Sequence, residues 1–184
     1  MCRAEFFDMI LRCVAQIFPK QIIIGLNQFS EDFIEPFIEN STYTLNRFLI
    51  RDSKMLNRLF LENGESLTKI FKDHEVPRVG FTLEMAIKLI NSNESQGPIL
   101  DNHIIKKCFI FSQMSVKNEQ INSRKYEYLL YVEFLEFLGR VALNWNTKKE
   151  VKVVIKVYNL LKIIYESLEN APELEQIGND SDDD

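Results

Sequence analysis

The sequence predicts an all-α fold, and three observations support that class. Apolar residues recur at the spacing of amphipathic helices through most of the 184 residues. Only six Gly and five Pro are present, which favours helices joined by short turns over a β-sandwich. In the stretch 126–146, a short β-prone segment runs into Glu133 and then into a helix. The broad apolar face of that helix is formed by Leu130, Phe134, Phe137, Leu138 and Val141.

The composition indicates which cellular compartment and which classes of partner are compatible with this chain. A net charge of −5, without a basic stretch interleaved with aromatic residues, argues against nucleic acid as a partner. Cys2, Cys13 and Cys108 are odd in number and unclustered, so a reducing compartment fits better than a disulfide framework or a zinc site. No apolar run approaches the roughly 20 residues that cross a bilayer. We expect a cytoplasmic protein without a membrane partner.

Residues 1–65 are expected to form an N-terminal helical region. A helix over 3–18 ends at Pro19. A second helix covers 21–39, and one or two more cover 43–63 before the stop signal Asn63-Gly64. The apolar residues assigned to the buried faces of these helices are Phe6, Met9, Ile10, Cys13, Val14, Ile17, Ile22, Ile23, Ile24, Leu26, Phe29, Phe33, Ile34, Phe37, Leu45, Phe48, Leu49, Met55, Leu56, Leu59 and Phe60.

The first helix shares a local pattern with the stretch 126–146. Residues 5–12, EFFDMILR, align with residues 133–140, EFLEFLGR, and both read Glu-Phe-apolar-acid-apolar-apolar-x-Arg. Chance similarity between two amphipathic helices is one explanation. The other is that both are exit helices of related helix–loop–helix units, in which case the chain begins within such a unit.

Residues 66–146 are expected to form two consecutive units of the EF-hand type. Phe81 and Leu129 occupy matching places before the two exit helices, so we predict that the loops pair there through a short antiparallel bridge. Thr82 and Asp101 are predicted helix N-caps. The four helices of this EF-hand-like lobe are predicted over 67–73, 83–91, 102–116 and 130–146, with a polar loop over 117–125.

Two segments follow the lobe. Residues 147–170 are expected to contain a C-terminal helix over 148–168. Val151 and Val153 are β-branched and would also suit a strand, but the helical spacing continues to Leu168, and we therefore favour the helix. Residues 171–184 are acidic and are expected to form a disordered tail.

Neither predicted loop keeps the ligands that calcium needs. An EF-hand loop requires oxygen ligands at positions 1, 3 and 5, Gly at position 6 and a carboxylate at position 12. With Glu133 at position 12, the second loop places Asn122, Arg124, Tyr126 and Glu127 at positions 1, 3, 5 and 6. With Phe81 at position 8, the first loop places His74, Val76, Arg78 and Met85 at positions 1, 3, 5 and 12, and a shift by one residue gives Asp73, Glu75, Pro77 and Glu84. We expect degenerate loops that hold no metal and no other cofactor.

The order of these segments resembles the C-terminal helical region of long, degenerate EF-hand-like proteins of ciliates and other flagellated protists. The stretches that carry the resemblance are RAEFFDMILRCVA, LTKIFKDH, FTLEMAIKLI, CFIFSQMSV and LLYVEFLEFLGRVAL, and they cover roughly residues 3–145. The resemblance implies an association with cilia and the cytoskeleton.

No arrangement of residues specifies a reaction. His74 and His103 lie far apart in sequence and are expected to be solvated, and no Gly-rich phosphate loop or nucleophile motif is present. Glu133 and Glu136 are interpreted as the solvated edge of a helix. We therefore expect no catalytic residues, no small-molecule substrate and no enzyme activity.

The sequence instead predicts a non-catalytic structural or adaptor subunit. It would bind helices of larger axonemal or other cytoskeletal proteins in an apolar groove, since EF-hand-like lobes commonly hold amphipathic helices. Trp145 is either a partner anchor or a cap on the core. A calcium sensor or calmodulin-like light chain is the alternative function. The residues predicted to bind the partner are Phe134, Phe137, Leu138, Trp145, Met85 and Met114.

Overall fold

The computed structural model divides the chain into two compact units. One comprises Met1–Leu45 and Ser115–Lys125, and the other comprises Asn46–Met114 and Tyr126–Asp184. Helices dominate both, so the predicted all-α class is confirmed. The structure describes residues 3–36, 49–51, 53–77, 79–92, 100–114, 116, 119–146, 148 and 150–167.

The first unit begins with a helical hairpin. Helix α1 is Arg3–Ile17, and helix α2 is Ile22–Phe29 and continues as a π-helical turn, Ser30–Ile34. The two helices approach closely at Gly25, where an added Cβ would lie 2.8 Å from Val14 of α1 and 2.5 Å from a ring carbon of Phe18. Two apolar side chains of α1, Ile10 and Val14, are buried. The part of the predicted second helix beyond residue 36 lies outside the described residues, as do Phe37, Leu45 and Phe48.

In the second unit, a helical segment at 49–51 precedes two helices that are joined by a single residue. Helix α3 is Lys54–Glu62 and helix α4 is Gly64–Asp73. The predicted stop at Asn63-Gly64 is confirmed for α3, but α4 begins three residues before the predicted start at 67. The side-chain amide of Asn63 donates to the Leu59 carbonyl at 3.0 Å, which closes α3 and lets the chain turn at once into α4. Helix α3, which the sequence grouped with residues 1–65, belongs to this second unit.

Two side chains cap the next helices as predicted. Helix α5, Leu83–Asn91, starts after Thr82, whose hydroxyl accepts from the Met85 N–H at 3.5 Å. Helix α6, Asn102–Ser112, starts after Asp101, whose carboxylate accepts from the His103 N–H at 2.8 Å.

The predicted end of α6 and the polar loop after it are wrong. Helix α6 ends at Ser112 instead of residue 116, and the Ser112 hydroxyl donates to the Cys108 carbonyl at 2.8 Å before Gln113 turns extended. The segment predicted as a loop over 117–125 contains a short helix α7, Glu119–Asn122, followed by a 3₁₀ turn, Ser123–Tyr126.

The predicted bridge between the two loops is present. Strand β1, Phe81–Thr82, pairs antiparallel with strand β2, Tyr128–Leu129, and Phe81 faces Leu129 in the register. Gly80 precedes β1 with φ 113°, and a Cβ there would lie 2.7 Å from the Tyr128 ring. Only glycine adopts this conformation without strain.

Helix α8, Tyr131–Trp145, lies at the centre of the second unit, and helix α9, Val153–Glu166, packs against it. The choice of helix over strand for the C-terminal segment is confirmed. Phe81 and Phe134 are fully buried, with ring centroids 4.9 Å apart. Leu130, predicted on the buried face of α8, is the N-cap residue and is 54% exposed.

Membrane crossing by a single helix is not supported in the described part of the chain, because none of its helices combines the necessary length and hydropathy. The segments Glu5–Ile17 and Ile22–Ile34 meet that requirement only as a pair, bent by 116°. The predicted acidic tail, 171–184, lies outside the described residues.

Candidate functional site

Glu133 lies four residues after the bridging Leu129 and is the residue predicted at position 12 of the second loop. Its Oε2 accepts from the Leu130 N–H at 2.7 Å, and its Oε1 accepts from the Met114 N–H at 2.5 Å. Glu133 is 5% exposed, so its interpretation as a solvated edge was wrong. Both oxygens are held by backbone amides, which ties the end of the α6 segment to the start of α8.

The first loop carries no carboxylate at the equivalent position. Met85 stands four residues after Phe81, and its half-buried side chain packs against the core of the second unit. Among the residues that the structure describes, no three His, Cys, Asp or Glu side chains are grouped so that they could hold a metal ion.

A buried ion pair lies on α8. Arg140 Nε and Nη2 donate to Glu136 Oε1 at 3.2 and 2.7 Å, and Arg51 Nη2 donates to Glu136 Oε2 at 3.1 Å. Glu136 is 6% exposed and Arg140 is 1% exposed. Glu136 is therefore not part of a solvated edge, which corrects the second half of that prediction. Because buried charges are costly unless they are paired, this cluster fixes the position of α8 against the Arg51 segment.

Cys108 is a buried thiol next to this cluster. The side-chain amide of Asn144 donates to Cys108 Sγ at 3.5 Å, and Asn144 also donates to the Arg140 carbonyl at 2.8 Å. Burial raises the pKa of the Cys108 thiol to about 11, although the charges of Arg140 and Lys107 oppose that shift. At neutral pH the group is a protonated thiol and a poor nucleophile.

The two histidines have separate surroundings. His74 is half-buried with Nδ1 2.9 Å from the Ile70 carbonyl, whereas His103 is exposed at the start of α6. The structure does not bring them together, and neither one adjoins the buried ion pair in the described contacts.

Three of the six residues predicted to bind a partner are inaccessible. Phe134, Phe137 and Leu138 have 0% exposure and form the centre of the core, so they cannot contact a partner in this conformation. Trp145 and Met85 are half-buried against the same core, and Met114 is 37% exposed. The structure does not gather the six residues into one surface.

The sequence interpretation missed a set of exposed apolar side chains on the α1–α2 hairpin. We call this the hairpin surface. Most of its side chains were assigned to buried helix faces, the exceptions being Phe7 and Leu11, and all of them are between 41% and 76% exposed. The sequence contains a signal for it. At 100° per residue the apolar arc of α1 spans roughly 200°, which is wider than a single neighbouring helix can cover. Its members are Phe6, Phe7, Met9, Leu11, Ile17, Ile22, Ile23, Ile24 and Phe33.

Comparison with protein-family models, with curated proteins and with solved structures found no match to this chain. The fold defines the class as all-α. Two features are candidates for a functional role: the pair of loops joined by the Phe81–Leu129 bridge, and the hairpin surface.

Proposed function

We propose that this protein is a non-catalytic structural or adaptor subunit that binds helices of larger proteins. The observation that carries the proposal is the hairpin surface. Soluble proteins rarely expose many large apolar side chains over one short segment unless another molecule covers them. Ile23, in the apolar stretch 22–26, is 76% exposed, and Phe33 is 63% exposed.

We further propose that the second unit is an EF-hand-like lobe with degenerate loops. The antiparallel bridge at Phe81 and Leu129 supports this, because EF-hand loops pair at that position before their exit helices. Glu133 supports it as well, since the carboxylate stands at the last position of the loop but accepts hydrogen bonds from the Leu130 and Met114 amides. In this proposal, backbone amides replace the cation and hold the lobe in one state.

The assembly that we propose is ciliary, axonemal or otherwise microtubule-based. Support comes from the resemblance of residues 3–145 to EF-hand-like proteins of ciliates and other flagellated protists. A cytoplasmic protein of this kind would act by joining larger components, with no substrate of its own.

Capture of partners by the tagged full-length chain tests the proposal. We expect quantitative mass spectrometry to find a stoichiometric cytoskeletal or axonemal partner, enriched in isolated cilia. The double variant Met9→Ser/Ile23→Ser should lose that partner, because two exposed apolar side chains on different helices of the hairpin are removed. Leu61→Ser is the matched control, since Leu61 is 81% exposed on α3. Uniform cytosolic recovery without any partner would contradict the proposal.

Titration calorimetry with calcium distinguishes the adaptor proposal from the alternative, a calcium sensor or calmodulin-like light chain. We expect no saturable heat in the micromolar range, because a cation at Glu133 would have to displace two backbone amides. Saturable micromolar binding that disappears in Glu133→Gln would establish the alternative and overturn the proposed closed lobe.

A further inference from the structure

Helices α1 and α8 carry the same eight-residue pattern and the same ion pair in different surroundings. Arg12 Nη2 lies 2.8 Å from Asp8 Oδ2, and Arg140 Nη2 lies 2.7 Å from Glu136 Oε1. The side chains of the first pair are 78% and 58% exposed, while those of the second pair are 2% and 7% exposed. The same pattern therefore carries a solvent-exposed ion pair on α1 and a buried ion pair on α8.

Two apolar positions of the pattern show the same contrast, whereas Ile10 and its counterpart Leu138 are both buried. Phe6 of α1 matches Phe134 of α8, and Met9 matches Phe137. Phe6 and Met9 are 41% and 43% exposed, whereas Phe134 and Phe137 are 0% exposed. Side chains of this type are buried on α8, so the exposed positions on α1 form the part of the pattern that lacks a cover.

Other helices cover α8. Helices α6 and α9 pack on it, and Arg51, in a separate helical segment, reaches Glu136. In α1, the packing with α2 buries Ile10 and Val14 but leaves the flanking apolar side chains open. Because helices bury the apolar face of α8, we expect a helix to bury the exposed apolar side chains of α1 as well.

The charges around the hairpin surface are mainly acidic. Between residues 3 and 36 the sequence has five carboxylates, on Glu5, Asp8, Glu31, Asp32 and Glu35, against three cations, on Arg3, Arg12 and Lys20. Arg12 is already paired with Asp8. A helix that docks here gains attraction from basic residues beside its apolar stripe.

Two other occupants fit these charges less well. Segments that bind membrane surfaces are rich in Lys and Arg on the polar face, and an acidic hairpin is repelled by anionic lipid headgroups. A second copy of the same hairpin would bring a second excess of carboxylates to the interface.

We propose that the hairpin surface binds a basic amphipathic helix of a partner protein. This rests on the proposed adaptor function and adds the chemistry of the partner to it. The apolar stripe of the partner helix packs on Phe6, Met9 and Ile23, and its Lys or Arg side chains face Glu31 and Asp32.

The test uses the full-length chain and a fluorescein-labelled peptide of Leu and Lys, about fourteen residues or four helical turns long, with Leu on one face. We expect saturable one-to-one binding by fluorescence anisotropy, weakened by added salt. Met9→Ser/Ile23→Ser and the charge-reversal variant Glu31→Lys/Asp32→Lys should each raise the Kd about tenfold or more. Leu61→Ser should bind as the unaltered chain does, and circular dichroism should show the same helix content for every variant.

Several results would overturn the inference. They are absence of saturable binding, equal binding of a matched Leu and Glu peptide, or equal binding by the Met9→Ser/Ile23→Ser variant. Flotation with phosphatidylcholine–phosphatidylserine vesicles would indicate a membrane instead, and concentration-dependent dimerisation that Met9→Ser/Ile23→Ser abolishes would indicate a second copy. Slow labelling of the exposed Cys13 in a Cys2→Ser chain, without peptide, would indicate that another part of the chain covers the hairpin.

The same variants distinguish failure of this inference from failure of the adaptor proposal. If the tagged chain captures no partner at all, the adaptor proposal fails. If Met9→Ser/Ile23→Ser captures the same partner as the unaltered chain does, the adaptor function stands and the assignment to the hairpin surface is wrong.

Discussion

Neutralising Glu136 tests whether the buried ion pair holds α8 in place. In the folded chain, Glu136 Oε1 accepts two hydrogen bonds from Arg140, and Oε2 accepts one from Arg51. Glu136→Gln keeps the size of the side chain but removes its charge beside a guanidinium with 1% exposure. The two arginines are not equivalent, because the Arg51 side chain is 44% exposed and can regain solvent.

The expected magnitudes follow from these exposures. Removing one partner of a buried pair costs about 3–5 kcal/mol, and because Gln keeps a neutral hydrogen bond worth about 1 kcal/mol, we expect Glu136→Gln to lower the free energy of unfolding by about 2–4 kcal/mol. Arg51→Ala should cost about 0–1 kcal/mol, as surface pairs do. The double variant Glu136→Leu/Arg140→Met should be much closer to the unaltered chain than Glu136→Gln is, because no buried charge remains.

Urea denaturation followed by far-ultraviolet circular dichroism measures these differences, with thermal melting as a second readout. For a chain of this size, about 3 kcal/mol corresponds to a fall in Tm of roughly 6–12 °C. The reasoning would be refuted if Glu136→Gln and Arg51→Ala had equal effects. It would also be refuted if the double variant lost as much stability as the sum of its two single variants, because the side chains would then be uncoupled.

Three further predictions concern groups around the loops and the core. Gly80→Ala should lower the free energy of unfolding by about 1–3 kcal/mol, because Gly80 has φ 113° and an added Cβ would lie 2.7 Å from Tyr128. Urea denaturation measures this difference, and a stability equal to that of the unaltered chain would contradict this conformation. Glu133→Ala should cost about 1–3 kcal/mol by leaving backbone amides without their acceptor, measured in the same way, and calcium should not change this difference. Burial raises the pKa of Cys108 from 9.0 to about 11, so the folded chain keeps a proton that the unfolded chain loses over that range. Stability should therefore fall between about pH 9 and 11, by at most about 1.4 kcal/mol per pH unit, and Cys108→Ala should flatten that fall; an unchanged slope would show that the thiol is not desolvated.

The features that the sequence predicted well depend on local chemistry or on strong periodicity. Thr82 and Asp101 cap their helices because a short polar side chain can reach an N–H two or three residues onward, whatever the rest of the fold does. The bridge at Phe81 and Leu129 was predictable from two β-prone residues placed equally before two helices. For α9, helical spacing outweighed the β-branched residues because the period decides which side chains share a buried face.

The features that the sequence did not reveal depend on distant partners. Glu133 and Glu136 look like solvent-facing carboxylates in a helix, but Met114 is 19 residues away from Glu133 and Arg51 is 85 residues away from Glu136. Helix α6 ends early because Ser112 bonds to its own helix and the next segment turns to meet Glu133, which periodicity alone cannot show. The helix at 119–122 is too short to produce a periodic pattern.

The error over the partner-binding residues has a more general cause. The apolar period of α8 was interpreted as a binding face, yet Phe134 and Phe137 are 0% exposed because three other helices and the bridge surround them. A strong period indicates how apolar a face is and does not indicate what covers it. Helix α1 repeats that period and packs beside α2, and Phe6 is 41% exposed. A binding surface is therefore to be sought where the apolar arc of a helix is wider than the cover its own chain supplies, and in this protein that condition points to the hairpin.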